Sequence, residues 1–415
     1  MTDSPSSTLT RRRFLQAVAA TGSVAMLPSW LADAAGAAVP LGPTERALVV
    51  VWLEGGNDGL NMVAPVGDSA YTTARGRLGL GTTGLLTAQG AAFHPSLVGV
   101  KQRFDVEATA VIQGVGDTAP DLSHSIAGTR VAAGDGSSGA NGGWLGRYID
   151  GLPAADAFHA VAVGSTTPLL VTGRHRRATI IGTNANDVLS PTAKDVVGAR
   201  AVACLRDMGA ASTGLGPWGD AIATAGRAAA DVNGRVLPLY KQKLAGGLAG
   251  QLELCARLVN ADVGVRVMHV RQGGFDTHVD QSWRHADALT QLDKGLTKFF
   301  GSLQPRFAGR TAVVVMSEFG RRVQPNASNG TDHGTASTWL VVGDGVRGGM
   351  YGAQPSLTAL DRAGNVVPTV DHRSVYASLL DGWLGADSQA VLGGGFEDLG
   401  FARPDPPRRR AALLR

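Results

Sequence analysis

The sequence predicts an α/β fold with a doubly wound, mostly parallel central sheet flanked by helices. Three observations lead to it. Six short runs rich in β-branched residues recur along the chain, and most are apolar throughout rather than alternating, the pattern of strands buried on both faces. Segments of helical periodicity lie between them. Glycine-rich turns carrying Asp, Glu, Asn or His follow several of the runs, where an open sheet places its ligands.

Residues 1 to 34 stand apart from the fold. Thr10-Arg11-Arg12-Arg13-Phe14-Leu15 reads as the charged start of a twin-arginine signal. The Ala-rich stretch from Gln16 to Leu27 is too short to span a bilayer, which takes about 20 apolar residues. Ala32-Asp33-Ala34 offers the small residues a signal peptidase accepts. The expectation is export through the twin-arginine translocase, to the periplasm, the cell envelope or the outside.

Residues 35 to 403 read as one domain, and the Pro- and Arg-rich residues 404 to 415 as a solvated tail. The net charge of +4 falls to +3 on removal of the leader, too small a balance to suggest nucleic acid as a partner. Two cysteines, Cys204 and Cys255, permit a disulfide in an oxidising compartment, and two buried thiols fit equally well.

The expected strands are Ala47 to Leu53, Ala108 to Val115, Phe158 to Val163, Val265 to Val270, Thr311 to Met316 and Thr338 to Val342. The expected helices are Ser96 to Phe104, Trp144 to Leu152, an Ala-rich region from Pro217 to Asn260, and Gln281 to Leu303. In the last, Trp283, Ala286, Leu289, Leu292, Leu296 and Phe299 fall at helical spacing.

Chemistry concentrates in five segments. The first strand leads into Glu54-Gly55-Gly56-Asn57-Asp58-Gly59-Leu60-Asn61, and the second into Asp121-Leu122-Ser123-His124-Ser125. Gly273-Gly274-Phe275-Asp276-Thr277-His278 follows the fourth, and Ser317-Glu318-Phe319-Gly320-Arg321-Arg322 the fifth. Gly330-Thr331-Asp332-His333-Gly334-Thr335 precedes the sixth. Each alone is an ordinary turn or cap. Their coincidence at strand ends supplies carboxylate oxygen and imidazole nitrogen, ligand types for divalent metals such as zinc or manganese. Arg321 or Arg322 is placed to clamp an anion, or to be a solvated surface arginine. Asn57 either donates to a substrate oxygen or closes its turn. The basic run Gly173-Arg174-His175-Arg176-Arg177 reads as a charged loop, and His94, His159 and His372 as structural.

The segments VVWLEGGNDGLNMVAP, DLSHS, GGFDTH, MSEFGRR, GTDHGTAS, VGDGVRGGMYG and DHRSVYASLLDGWLG together resemble the exported domain of unknown function 1501 family, from about Ala47 to Gly400. That family looks like a branch of the alkaline phosphatase and sulfatase superfamily. The resemblance implies an alkaline-phosphatase-like core and a divalent metal, zinc, manganese or calcium. It implies hydrolysis of phosphate or sulfate esters, on a small or polymeric anionic substrate. Carried across, Asp58, Asp276, His278, Glu318 and His333 take the places of metal ligands. Ser123 takes that of the nucleophile, with His124 beside it and Ser125 as rival; the chemistry of an anionic ester would further use His124 and Asn57 as substrate contacts and Arg321 as a catalytic cation. Phe319 stands where the superfamily has a histidine, leaving a second metal short of a ligand. A catalytically degenerate binding or assembly protein, working with a companion exported protein, is therefore the alternative expectation.

Overall fold

The computed structural model describes residues 40–81, 84–152, 156–184, 196–210 and 216–402. The leader and the C-terminal tail lie outside the described residues. No described helix is long and apolar enough to cross a membrane.

The chain forms two compact units. The smaller takes in 184–241 and holds two helices, Val196–Ala210 and Gly216–Val236, packed on each other. Cys204, exposed, lies in this unit; Cys255, buried, lies in the larger one, and both are free thiols. The Ala-rich region is thus two helices: Gly216–Val236 here, and Gly247–Asn260 in the larger unit. Gly246 and Gly247 fall at the break, where glycine costs a helix about 1 kcal/mol relative to alanine.

The larger unit is the α/β body expected from the sequence. The strands of its main sheet in chain order are β1 (Ala47–Leu53), β2 (Thr109–Gly116), β3 (Ala160–Val163), β4 (Thr179–Ile181), β5 (Val267–Gln272), β6 (Thr311–Met316), β7 (Ala336–Val342), β8 (Gly349–Tyr351) and β9 (Val370–Asp371). Among the described residues these nine form one sheet in the order β8-β2-β7-β6-β1-β5-β3-β4, with β9 also pairing β2. At the centre, β1 lies parallel to both β5 and β6, and all its residues except Trp52 are buried. Burial on both faces explains its continuous apolar run.

Only β7 runs against its neighbours, pairing antiparallel with β2 and β6. A parallel return needs a crossover of a dozen or more residues, usually helical. Between Met316 and Ala336 the chain forms no helix, only the two-residue ladder of Gly320–Arg321 with His333–Gly334. The strand therefore comes back reversed. This brings the residues before β7 to the edge where β1, β2, β5 and β6 end.

Helices of this unit include α1 (Val98–Asp105), α2 (His124–Ala133), α3 (Trp144–Asp150) and α4 (Gln281–Ser302), of which α2 and α4 bring His124 and Gln281 to the site. Helix α4 buries Leu289, Leu292, Leu296 and Phe299. Trp283, expected on that stripe, is instead 62% exposed. At about 100° per residue, nine residues separate it from Leu292 by half a turn, so it points the other way.

Candidate metal centre

Five loops meet at one sheet edge: those after β1, β2, β5 and β6, and the one before β7. Glycines let them touch backbone to backbone. Gly55 has a φ of +118°, and a Cβ there would strike the amide of Asp276; a Cβ on Gly330 would strike the His278 carbonyl.

The carboxylate of Asp276 is the hub. Its side chain is half exposed, and its Oδ1 lies 3.1 Å from His278 Nε2 and 3.3 Å from His333 Nε2. His124 Nε2 stands 3.6 Å from Oδ2. Each imidazole is held from behind through its other nitrogen. His333 Nδ1 lies 2.7 Å from the Leu122 carbonyl, His278 Nδ1 3.2 Å from Asp332 Oδ1, and His124 Nδ1 2.9 Å from Glu318 Oε1. Carbonyl and carboxylate oxygens only accept, so each Nδ1 carries the proton and donates it. With Nδ1 the donor, each ring turns the lone pair of its Nε2 toward Asp276.

Two of these lone pairs meet: His278 Nε2 and His333 Nε2 are 2.9 Å apart. Two acceptors face each other at that distance only with a proton or a cation to share. Oxygen acceptors behind imidazoles are the usual outer support of histidine metal ligands. His124, Asp276 and His333 present ligand atoms that all lie within 4.8 Å of one another, and His278 Nε2 borders that group beside His333 Nε2. Imidazole nitrogen with carboxylate oxygen suits zinc or manganese better than calcium, which takes oxygen ligands. The residues present fit a divalent transition-metal ion.

The electrostatics agree with this arrangement. Burial alone would raise the Asp276 carboxyl, but Arg321, by its hydrogen bond and its charge, outweighs it and holds the carboxyl below the ordinary aspartate value. Burial pushes the His333 imidazole below its usual range, which keeps the ring neutral and able to ligate.

The other residues marked by sequence occupy different places. Asp58 is fully buried and far from a ligand's role. Arg75 grips it with two hydrogen bonds, of 2.5 and 2.8 Å, and Gln281 donates to it as well. Burial works against its charge, but Arg75 prevails and the carboxyl lies below its ordinary value. Asn57 is buried too, its Oδ1 2.9 Å from His285 Nε2, so it meets no substrate. Glu318 faces inward rather than toward a second metal: its Oε1 accepts from the Gly55 amide at 2.8 Å and from His124. Phe319 packs its ring against His124 and His333, centroids 5.0 and 4.5 Å away.

Arg321 does not clamp an anion. It is 1% exposed and donates to Gly55, Gly56, Thr331 and Phe275 carbonyls and to Asp276 Oδ1. Each of its three nitrogens donates inside the protein. Ser123, by contrast, is exposed at the N-cap of α2, makes no side-chain capping bond, and precedes His124 directly.

Sequence reasoning missed Gln281. Its Oε1 accepts from Thr277 Oγ1 at 3.0 Å and Thr331 Oγ1 at 2.6 Å, while its Nε2 donates to Asp58. Thr277 lies between Asp276 and His278, and Thr331 two residues before His333. One buried amide thus pins both ligand loops to the Asp58–Arg75 pair. Nothing in its position at the start of a helix distinguishes it from an ordinary polar residue.

No curated protein matches the chain. Among solved structures, it is similar to an alkaline phosphatase superfamily protein from Vibrio parahaemolyticus, at 10% identity over 89% of this chain and 78% of that one, TM-score 0.42. It is also similar to the lipoteichoic acid synthase LtaP from Listeria monocytogenes, at 8% identity over 90% and 79%, TM-score 0.34. Phosphonate monoester hydrolase of Agrobacterium radiobacter gives 10% identity over 86% and 78%, TM-score 0.33. The family described as "Protein of unknown function (DUF1501)" matches residues 108–392, which begins after the Asp58 loop but takes in every residue of the Asp276 cluster, and the chain belongs to that family.

Proposed function

We propose that the protein is an exported, metal-dependent hydrolase of phosphate or sulfate esters. One observation carries the reading: three imidazoles, each tethered at Nδ1, converge through Nε2 on the single carboxylate of Asp276. When bound, the metal would polarise an ester oxygen and lower the pKa of a water or hydroxyl on it. The chain's own groups support an anionic substrate at that point. The N-terminus of α2 lies beside the cluster with no side-chain cap, so its first-turn amides and helix dipole favour negative charge. Ser123, at that same end, offers an exposed hydroxyl as nucleophile. His124 carries its proton on Nδ1 toward Glu318, which leaves its Nε2 for the metal.

The test is turnover of a panel of phosphate and sulfate monoesters by the mature protein. The proposal expects hydrolysis that chelator abolishes, that added zinc or manganese restores, and that His333→Ala lacks. Chelator-resistant hydrolysis retained in His333→Ala would overturn it. Export rests on the leader motif. Replacing Arg11 and Arg12 with Lys should hold the protein in the cytoplasm; unaffected export would refute the twin-arginine assignment.

A second reading, a non-catalytic assembly protein, is favoured by one contact: Arg321 Nη2 already sits 2.6 Å from Asp276 Oδ1 and neutralises the cluster's one carboxylate. It expects a stoichiometric exported partner on purification and no turnover on any ester.

A further inference from the structure

A cleft of about 260 Å³ opens beside His124. Its floor is one face of the sheet. Trp52 of β1 pairs with Arg271 of β5, and His269, two residues back along β5, lies on the same side. Its roof is α2 from Ser125 through Gly128 to Ala132, closed at one end by Leu169. Helix α2 therefore presents His124 to the metal cluster at its start and a small-residue face to this cleft along its length.

His269 is the informative residue. It is only 4% exposed, it lines the cleft, and its ring has no hydrogen-bond partner among the described residues. Its ring nitrogens are not among the sealed polar atoms left without a partner, so they open on the cleft and can bond what enters. Burial lowers its pKa to about 4, which keeps it neutral. A neutral imidazole offers one donor and one acceptor. A hydroxyl matches both; an anion would use only the donor and a cation only the acceptor. The charges at the rim cancel, because Arg271 Nη1 pairs with Glu54 Oε1 at 3.0 Å. That pair still has donors and acceptors to spare for further hydroxyls. The volume lies just below the roughly 300–1,000 Å³ of sites for drug-sized ligands, which suits one ring rather than an extended chain.

We infer that this cleft is a subsite for a neutral, hydroxyl-bearing ring of pyranose size, the alcohol part of the ester, with His269 and the Glu54–Arg271 pair reading its hydroxyls and Trp52 and Leu169 bounding its faces. The inference rests on the hydrolase reading only in identifying the ring as part of the substrate; occupancy of the cleft is independent of it.

The experiment is a ligand-detected NMR titration of the mature protein with the methyl pyranosides of glucose, galactose, mannose and N-acetylglucosamine, and with cyclohexanol as a ring bearing one hydroxyl. Two variants accompany the wild type. Gly128→Leu fills the cleft from a helical site where an added Cβ would meet only Trp52, at an ordinary 3.9 Å. His269→Phe keeps a ring and removes both hydrogen-bonding atoms. At least one glycoside should bind more tightly than cyclohexanol, weaken about tenfold or more in both variants, and leave bound metal unchanged. If no glycoside binds, if cyclohexanol binds equally well, or if both variants bind like the wild type, the inference fails. Because the readout is binding, glycoside binding without ester turnover would keep the subsite and sink the hydrolase.

Discussion

Asp58 and Asp276 invite comparison. Both follow adjacent parallel strands, β1 and β5, both sit in glycine-rich turns at the same sheet edge, and both receive an arginine's hydrogen bond. Their side chains are 0% and 50% exposed. Asp58 is surrounded by donors: Arg75 spans both its oxygens and Gln281 adds another. Asp276 has one donor, Arg321, and otherwise faces imidazole lone pairs. The first carboxylate is satisfied by the protein alone; the second has its charge met but leaves three nitrogens in want of a cation. Residue type and strand-end position are shared, so neither decides the role. Burial and the direction of the neighbours' lone pairs do.

The sharpest way to break this contrast is to remove each partner set. Asp276→Ala should abolish stoichiometric metal binding at a cost of about 1–3 kcal/mol in unfolding free energy, the loss of one charge-assisted hydrogen bond from buried Arg321. Arg75→Met should do the reverse, costing about 3–5 kcal/mol by leaving a buried charge uncompensated, read by urea unfolding with metal absent. If Arg75→Met unfolds at the wild-type midpoint, Asp58 is not the structural anchor described.

Gln281→Leu tests the link between the two regions. With Thr277 and Thr331 unpinned, metal affinity should fall about 10- to 100-fold, the effect of losing an outer supporting contact. Unchanged affinity by competition titration would mean the loops hold themselves.

A pH titration of apo-protein stability should reveal the Asp58 ion pair. The folded pKa of Asp58 is depressed, so its contribution is present above the ordinary carboxyl value of 3.8 and is lost as pH falls through the folded pKa. Relative to Asp58→Asn, the wild type should lose its advantage only below that value. An advantage already lost near neutrality would contradict the assigned ion pair. The smallest effect belongs to Arg322→Ala, which should leave metal binding unaltered and stability within about 0.5 kcal/mol, by the same titrations; a large loss would restore the anion-clamp role.

Much of the fold was readable because buried parallel strands must be apolar throughout, as Ala47–Leu53 and Thr311–Met316 are. The reversal of β7 was not, since direction depends on what the intervening chain does. Asp276, His278 and His333 were legible as a group because their motifs flank strands that end, or begin, together. His124 was noticed only as a substrate contact; that its Nε2 joins the cluster depends on Glu318 holding it from behind. Asp58 and Arg321 misled for one reason: a sequence shows a charge and hides its burial.

The central claim is that Asp276 and its three imidazoles hold one metal ion. Zinc and manganese should be titrated by equilibrium dialysis into chelator-treated mature protein, beside His333→Ala and Asp276→Ala. The account predicts saturation near one equivalent in the wild type and none in either variant. Absence of binding in the wild type, or equal binding in all three, would contradict it.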